Sequence, residues 1–331
     1  MSTYGGGFLL GVKRAGGTVL GDIPTWDECM PFANLIGINH VKPEDFNHAD
    51  VVVGNPPCSR FSAMSYSAFN ENDRTNINAF CDLTAVLDLG VEKKARVIHW
   101  ENGPIACTKG RDIIVEAHRR VHAKTTLVLK FDLPWTGTLQ RRPRTHVIHF
   151  MDPCTIKGLP GPIKETRPIK AWVDSHFPKG KVQVPVTYER YYPMEDPIGV
   201  VAHHESIGGF RAMKPRAVNE TQRWSPSLVS GRQHAWIQEN RWWSIAEYAA
   251  IQAYPVDLDY ETLLGKPWHR VTTYMSKSVS PAASKWLFEH VITCAVNFGK
   301  VIGETPVQQF DSDENIWFAK LVVPGQSKEI L

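Results

Sequence analysis

The stretch Val51-Val52-Val53-Gly54-Asn55-Pro56-Pro57-Cys58-Ser59 constrains the fold more than any other in this chain. Three consecutive β-branched residues are too apolar for a strand with one face in water, and they stop abruptly at two prolines. A short run of this kind reads as a strand buried on both faces, the pattern of a parallel sheet covered by helices. In such sheets ligands bind beyond the carboxyl ends of the strands, which is where Cys58 falls. Proline fixes its own φ and restricts the residue before it, so the thiol is expected on a stiff loop. Two readings of Cys58 stay open at this point. It is either a nucleophile held at a strand end or a buried structural cysteine, the commoner fate of a single Cys.

A chain of 331 residues can bury a sizeable core and is long enough for two domains. Cysteines stand at 29, 58, 81, 107, 154 and 294 with no CxxC pair, which argues against a zinc site or a disulfide framework. The same scatter points to a reducing, cytoplasmic setting. No apolar stretch approaches a membrane span and the first residues carry no signal-peptide pattern, so neither a membrane nor a metal is expected. Net charge is only +3, so any nucleic-acid contact must come from a local patch.

Along the first half, strand-like and helix-like segments alternate. Asp82–Lys94 carries leucines and valines at helical spacing, Ala95–Trp100 reads as a strand ending at Glu101-Asn102-Gly103-Pro104, and Arg111–His122 is amphipathic. Thr125–Phe131 and His146–Phe150 are further strands around a polar link carrying Gln140-Arg141-Arg142-Pro143-Arg144. This alternation implies an α/β sheet domain over residues 1–150, finishing with an antiparallel strand pair. From 151 to 240 the chain is rich in Pro and Trp with weak periodicity, and reads as a smaller irregular domain. Residues 241–300 return to helix. Ser244-Ile245-Ala246-Glu247 is a capping box for a helix that Tyr254-Pro255 ends, and Ser280-Pro281 suits the start of a last helix reaching about Phe298. Residues 301–331 form a tail.

Four signals occur in one order: a Gly-rich start, Pro-Pro-Cys after a strand, Glu-Asn after the next, and a Gln-x-Arg-x-Arg run. Any one alone is weak, because short matches arise by chance. Together, at strand ends, the set resembles the DNA (cytosine-5)-methyltransferases over nearly the whole chain. The resemblance implies a Rossmann-like, doubly wound α/β methyltransferase sheet with a smaller target-recognition domain inserted at 151–240 and the helices of 241–300 completing the catalytic domain. It implies Cys58 as the thiolate that adds to cytosine C6, since a thiol is too weak a nucleophile. Glu101 matches the acid that contacts N3 and the exocyclic amine, while Arg142 and Arg144 match arginines that hold O2 and a nearby phosphate. The substrate implied is double-stranded DNA with its target base flipped out of the stack. Ser59, Gln140, Arg211, Lys214, Arg216 and Arg223 are the expected DNA contacts. An RNA cytosine-C5 methyltransferase and an inactive DNA-binding relative are the rival readings. Restriction-modification and phage settings both fit, and a monomer is expected.

The resemblance also implies S-adenosyl-L-methionine as donor, with Tyr4, Gly5, Gly6, Gly7 and Phe8 as its Gly-rich loop, Asp22 near its ribose, and Asn55, Pro57, Lys277 and Ser278 around it. Two departures stand out. Only three or four residues precede the loop where the family has a full strand, and the apolar segment Glu314–Val323 is a candidate substitute for that strand. Near the C-terminus, Ser276-Lys277-Ser278-Val279 stands where a Gly-Asn-Ala-Val-like element is usual. Two like charges about 4 Å apart cost about 1 kcal/mol in water and about 4 kcal/mol near a protein surface, so a lysine aimed at a sulfonium methyl opposes its binding. Lys277 therefore points to solvent or phosphate, binds the donor's amino-acid carboxylate, or neutralises a carboxylate on the transferred carbon, as carboxy-S-adenosyl-L-methionine carries. The last case yields 5-carboxymethylcytosine.

Overall fold

The structure is a computed structural model of the full chain and describes residues 6–23, 29–57, 76–163, 200–203, 217–218, 233–236, 241–260, 265 and 268–323. Cys58, Ser59, Tyr4, Gly5, Arg211, Lys214, Arg216 and Arg223 lie outside these residues.

A six-stranded mixed sheet organises the fold. In chain order its strands are β1 (Val51–Gly54), β2 (Val97–Asn102), β3 (Thr125–Asp132), β4 (Pro143–Phe150), β11 (Gln308–Asp311) and β12 (Ile316–Leu321), with spatial order β1-β2-β4-β3-β12-β11. β1, β2, β3 and β12 run the same way, and β4 lies antiparallel between β2 and β3. The expected antiparallel pair is thus present, with its second member inserted beside β2. Strand ends Gly54, Asn102, Asp132 and Leu321 consequently share one edge.

Helices cover both faces, as the buried apolar strands require. On one side α3 (Cys81–Glu92) and α5 (Arg111–Arg120) pack Leu83, Val86, Leu87, Ile113, Ile114 and Ala117 against Ile98, Trp100, Val128 and Val147. On the other, α8 (Pro281–Leu287), a π-helical turn (Phe288–Ile292) and α9 (Thr293–Phe298) bring Trp286, Leu287 and Val291 onto Leu127, Leu129, Phe131 and Ile148. The expected last helix is therefore one continuous helical run with a π segment in its middle. Pro281 opens it, but the Ser280 hydroxyl does not cap it; that hydroxyl donates to the Gln252 carbonyl. α6 (Ile245–Gln252) starts at the expected capping box: the Ser244 hydroxyl accepts from the Glu247 amide, and the Glu247 carboxylate accepts from the Ser244 amide.

The tail meets its expectation as an added strand, and one other expectation needs correction. Ile316–Leu321 joins the sheet beside β3, in register from Ile316↔Thr126 to Leu321↔Phe131, well away from the β1 edge. The clamp is polar as well as apolar: Asn315 donates to the Lys124 carbonyl, and Arg119 pairs with Glu314 at 2.7 Å. The middle region, read as irregular, contains an antiparallel sheet. β6 (Val200–His203), β7 (Ala217–Val218), β8 (Gln233–Trp236) and β9 (Arg241–Trp242) pair in the order β7-β6-β8-β9. No helix among the described residues is long and apolar enough to cross a membrane.

Candidate active site

Side chains alternate along a strand, so Val97, His99 and Glu101 share one face of β2 while Ile98, Trp100 and Asn102 share the other. Glu101 is almost completely buried at the strand's carboxyl end. β4 lies beside it with Glu101 opposite His146, which places Arg144 one same-face step further on. The Arg144 Nε meets the Glu101 Oε1 at 2.9 Å. The second carboxylate oxygen accepts from the Asn55 amide, on the loop that leaves β1. Burial pushes the Glu101 carboxyl above its ordinary value; Arg144, Arg142 and the Asn55 hydrogen bond pull the other way and offset only part of it. A carboxyl so placed holds its proton more readily than one in water.

Asn102, on the opposite face, anchors the loop that leads to Cys58. Its amide donates to the Pro56 carbonyl at 3.3 Å and its oxygen accepts from the Gly103 amide at 2.8 Å. Both residues of the Glu-Asn pair therefore grip the Asn55-Pro56 turn, one by Asn55 and one by Pro56. The prolines stiffen the loop, and these two contacts fix it to β2.

The Gln-x-Arg-x-Arg run is not the solvated polar link that its composition suggests. Arg142 is 3% exposed and Gln140 is completely buried. The Arg142 amide donates to the Asp132 carboxylate at 3.0 Å, and its guanidinium donates to the Ser278 carbonyl at 3.2 Å. Arg142 thus joins the catalytic strands to the segment expected at the donor. Gln140, expected at the DNA surface, is enclosed, with no hydrogen-bond partner for either end of its amide among the described residues. Its burial excludes an outer phosphate contact in this arrangement.

The Gly-rich loop meets the same carbonyl group of residues. Gly6 adopts the left-handed conformation at φ 65° and starts α1 (Gly7–Arg14). A Cβ on Gly7 would collide with the Val279 carbonyl, the Ser278 hydroxyl and the Tyr254 hydroxyl, so only glycine permits this approach. Ser278 is buried and held three ways: its carbonyl accepts from Arg142 and from the Gln252 amide at 3.2 Å, and its hydroxyl accepts from Tyr254. The sequence carries no site signal at Gln252, and at Tyr254 only the helix stop it makes with Pro255. Phe8, expected at the donor, is buried with its ring edge-on to His99 at 4.6 Å, and so ties α1 to the sheet. Asn55, also expected on the donor side, serves Glu101 instead. Pro57 is half-buried, Asp22 is buried where its backbone bridges to His40, and Lys277 is exposed at the end of α7 (Trp268–Lys277).

Glu101, Arg144, Asn55, Arg142, Ser278 and Gly7 therefore form one connected set at the carboxyl edge of the parallel strands. Among the described residues, α1 has no side-chain cap and no acidic residue in its first turn, a helix start whose dipole favours an anion. Among the described residues, no group of three or more His, Cys, Asp or Glu side chains is arranged to hold a metal.

The chain matches no family model and no curated protein. Solved structures share its fold. A protein of an E. coli prophage, assigned as a DNA modification methyltransferase, aligns at TM-score 0.55 and 15% identity over 87% of this chain and 96% of its own. A triple mutant of Spodoptera frugiperda DNMT2 aligns at TM-score 0.55 and 14% identity over 86% of this chain and 96% of its own. The Entamoeba histolytica methyltransferase EhMeth aligns at 0.54 and 14%, over 86% and 94%.

Proposed function

We propose that this chain is a DNA cytosine-C5 alkyltransferase that works through Cys58. The observation that carries the reading is the buried Glu101, held by Arg144 and Asn55 on the loop that leads directly to Cys58. Cytosine C5 is a poor nucleophile. Addition of the Cys58 thiolate to C6 makes C5 enamine-like, and the negative charge gathering on the ring is met by Glu101 at N3. Arg144 is positioned to hold the base or its phosphate while keeping Glu101 oriented. Arg142 ties the start of β4 to the Ser278 carbonyl, and so links the Glu101 end of the sheet to the segment proposed beside the donor. Pro56 and Pro57 restrict the backbone that leads to Cys58.

The site fits an adenosylmethionine-type donor. The uncapped start of α1, the close Gly7–Ser278 approach and the buried Ser278 carbonyl cluster provide a formed wall beside an anion-favouring helix end. When bound, the donor supplies the electrophilic carbon. The segment 151–240, with its antiparallel sheet, is proposed as the target-recognition domain. Fold neighbours named for DNA modification and for DNMT2 support the reaction class and suit either nucleic acid; the long inserted segment favours duplex DNA.

A second reading rests on Lys277, one residue from Ser278 and exposed at the site's rim. A lysine there suits a donor whose transferred carbon bears a carboxylate, giving 5-carboxymethylcytosine. Nucleoside mass spectrometry decides both points. Duplex DNA and tRNA-like RNA are each incubated with S-adenosylmethionine or carboxy-S-adenosylmethionine. A +14 Da cytosine in DNA supports methyl transfer and a +58 Da cytosine supports carboxymethyl transfer. Modification of RNA alone, or of neither, overturns the proposal. Lys277→Asn should shift the preference towards the ordinary donor if the second reading holds.

A further inference from the structure

The sheet face opposite Glu101 carries a buried polar chain that ends at the tail. His149 of β4 and Thr126 of β3 are register partners, Trp100 of β2 meets His149, and His118 of α5 meets Thr126. All four side chains are buried. Chemistry fixes the direction of each bond. An indole N–H can only donate, so Trp100 donates to the His149 Nε2 at 3.0 Å. Burial pushes His149 down to about 3, so its ring is neutral and carries its proton on Nδ1, which donates to the Thr126 hydroxyl at 2.8 Å. That hydroxyl in turn donates to the His118 Nδ1 at 2.8 Å, which leaves the His118 proton on Nε2, 3.7 Å from the Glu314 carboxylate. Glu314 lies in the turn before β12 and also pairs with Arg119 at 2.7 Å. Contacts that all point one way therefore stitch β2, β4, β3 and α5 to the tail. The charged and titratable groups around His118 are Glu314 and Asp311 from the tail, Arg119 from its own helix and His149 from β4. Burial lowers the His118 value and prevails over Glu314 and Asp311, which raise it, while Arg119 lowers it further.

We propose that this chain is an acid-sensitive clasp on the tail: it holds β12 on β3 while His118 is neutral, and a proton taken up at the His118 Nδ1 releases the strand. The clasp is independent of the reaction proposed above. A protonated imidazole donates from both nitrogens. The Thr126 hydroxyl then meets two N–H groups, from His149 and from His118, and its own proton loses its acceptor. The attraction gained to Glu314 is weakened by Arg119, which already occupies that carboxylate. With the tail released, the ring meets water and returns to its ordinary value of 6.5. Below 6.5 the released form takes up its proton first. Docking is therefore complete above that value and weakens as pH falls from it towards the lower docked value. The other tail contacts, Arg111 with Asp311 at 3.2 Å and Asn315 with the Lys124 carbonyl at 2.7 Å, involve no group that ordinarily titrates between about pH 5.5 and pH 7.5. The clasped neighbour β3 ends at Asp132, which accepts from the Arg142 amide at 3.0 Å, so the strand that the tail covers also seats Arg142.

The test is amide hydrogen exchange of the full chain read by mass spectrometry at about pH 7.5 and pH 5.5, corrected for the intrinsic pH dependence of exchange. Protection of the β12 peptide should fall about three- to tenfold at the lower pH, the tenfold limit being one pKa unit of linkage. The β2 peptide is the internal reference and should keep its protection. His118→Asn keeps an acceptor towards Thr126 and cannot take up the proton, so its β12 protection should be the same at both pH values. Thr126→Val cuts the chain in the middle, and should lower β12 protection at the higher pH and shrink the pH response; Thr126→Ser should restore both. Melting curves confirm folding of each variant. A wild-type change below about twofold overturns the clasp. So does a full response retained in folded His118→Asn or, should that variant not fold, in Thr126→Val. An equal fall in β2 protection also overturns it, because the whole molecule is then opening rather than the tail.

Discussion

Replacing Glu101 by Gln tests whether burial, rather than the arginine pair, governs this carboxyl. The substitution keeps the shape and removes the ionisable proton, and it leaves one acceptor oxygen where the carboxylate offers two, to Arg144 and to Asn55. General acid–base groups contribute about 10²–10⁴ in rate, so turnover should fall by that factor, about 3–5 kcal/mol in activation free energy. Stability should move the other way. Below its ordinary value of 4.5 the carboxyl is protonated in folded and unfolded chains alike. As pH rises above 4.5 the unfolded chain releases its proton first, because burial raises the folded value. Folded-state stability therefore falls with pH across that window and levels off above the raised value. Each unit of such a shift is worth about 1.4 kcal/mol, which for a chain of this size is roughly 2 °C in melting temperature. The Gln variant lacks this fall, so its melting temperature relative to wild type should rise between pH 4 and pH 8. Paired melting curves and steady-state rates across that range make the measurement. A variant within threefold of wild-type activity would refute the acid role. A melting difference that shrinks as pH rises would refute the burial argument.

Other perturbations follow from the same contacts. Asn102→Ala removes the hydrogen bond to the Pro56 carbonyl and leaves that buried acceptor unsatisfied, at a cost of about 1–3 kcal/mol; the expected result is a lower melting temperature together with slower capture of the target base in single-turnover kinetics. Gly7→Ala should weaken donor binding with little change in duplex affinity, because the new methyl displaces the Ser278–Val279 wall; isothermal titration with S-adenosylhomocysteine reads it. Gln252→Ala removes one of two donors to the Ser278 carbonyl, and the Arg142 contact remains; the expected outcome is a raised KM for the donor with a smaller change in kcat.

Much of this architecture is legible in local sequence, because local forces decide it. The β-branched run at 51–53 is a strand, with Val52 and Val53 buried on opposite faces, and the Ser244–Glu247 box is a helix start since its hydrogen bonds lie within four residues. Motif order offers Glu101 and Arg144 as separate site residues; their ion pair follows from register, because β4 returns beside β2. What escaped depends on distant partners. Ile316–Leu321 reads as an apolar strand, but its place beside β3 is set by pairing across nearly 190 residues of chain. Gln140 and Arg142 stand in what reads as a polar link, yet both are buried, as are the neighbouring Leu133, Trp135 and Leu139, and that burial is set by tertiary packing that local sequence does not show. The resemblance puts Asn55 near the donor and gives no sign of its bond to Glu101, which forms because a buried carboxylate needs partners. Gln252 and Tyr254 carry no pattern in sequence, as their role depends on Ser278 arriving from the next helix.

The central claim is that Cys58 forms a covalent bond to C6 of a flipped cytosine. Duplex DNA containing 5-fluorocytosine prevents the proton loss at C5 that releases the enzyme, so a functioning site becomes trapped after transfer. Incubation with donor should yield a denaturant-resistant complex of protein and DNA, whose tryptic mass maps the attachment to Cys58 and which Cys58→Ala abolishes. Absence of that complex in the presence of either donor, or its persistence in Cys58→Ala, would contradict the account.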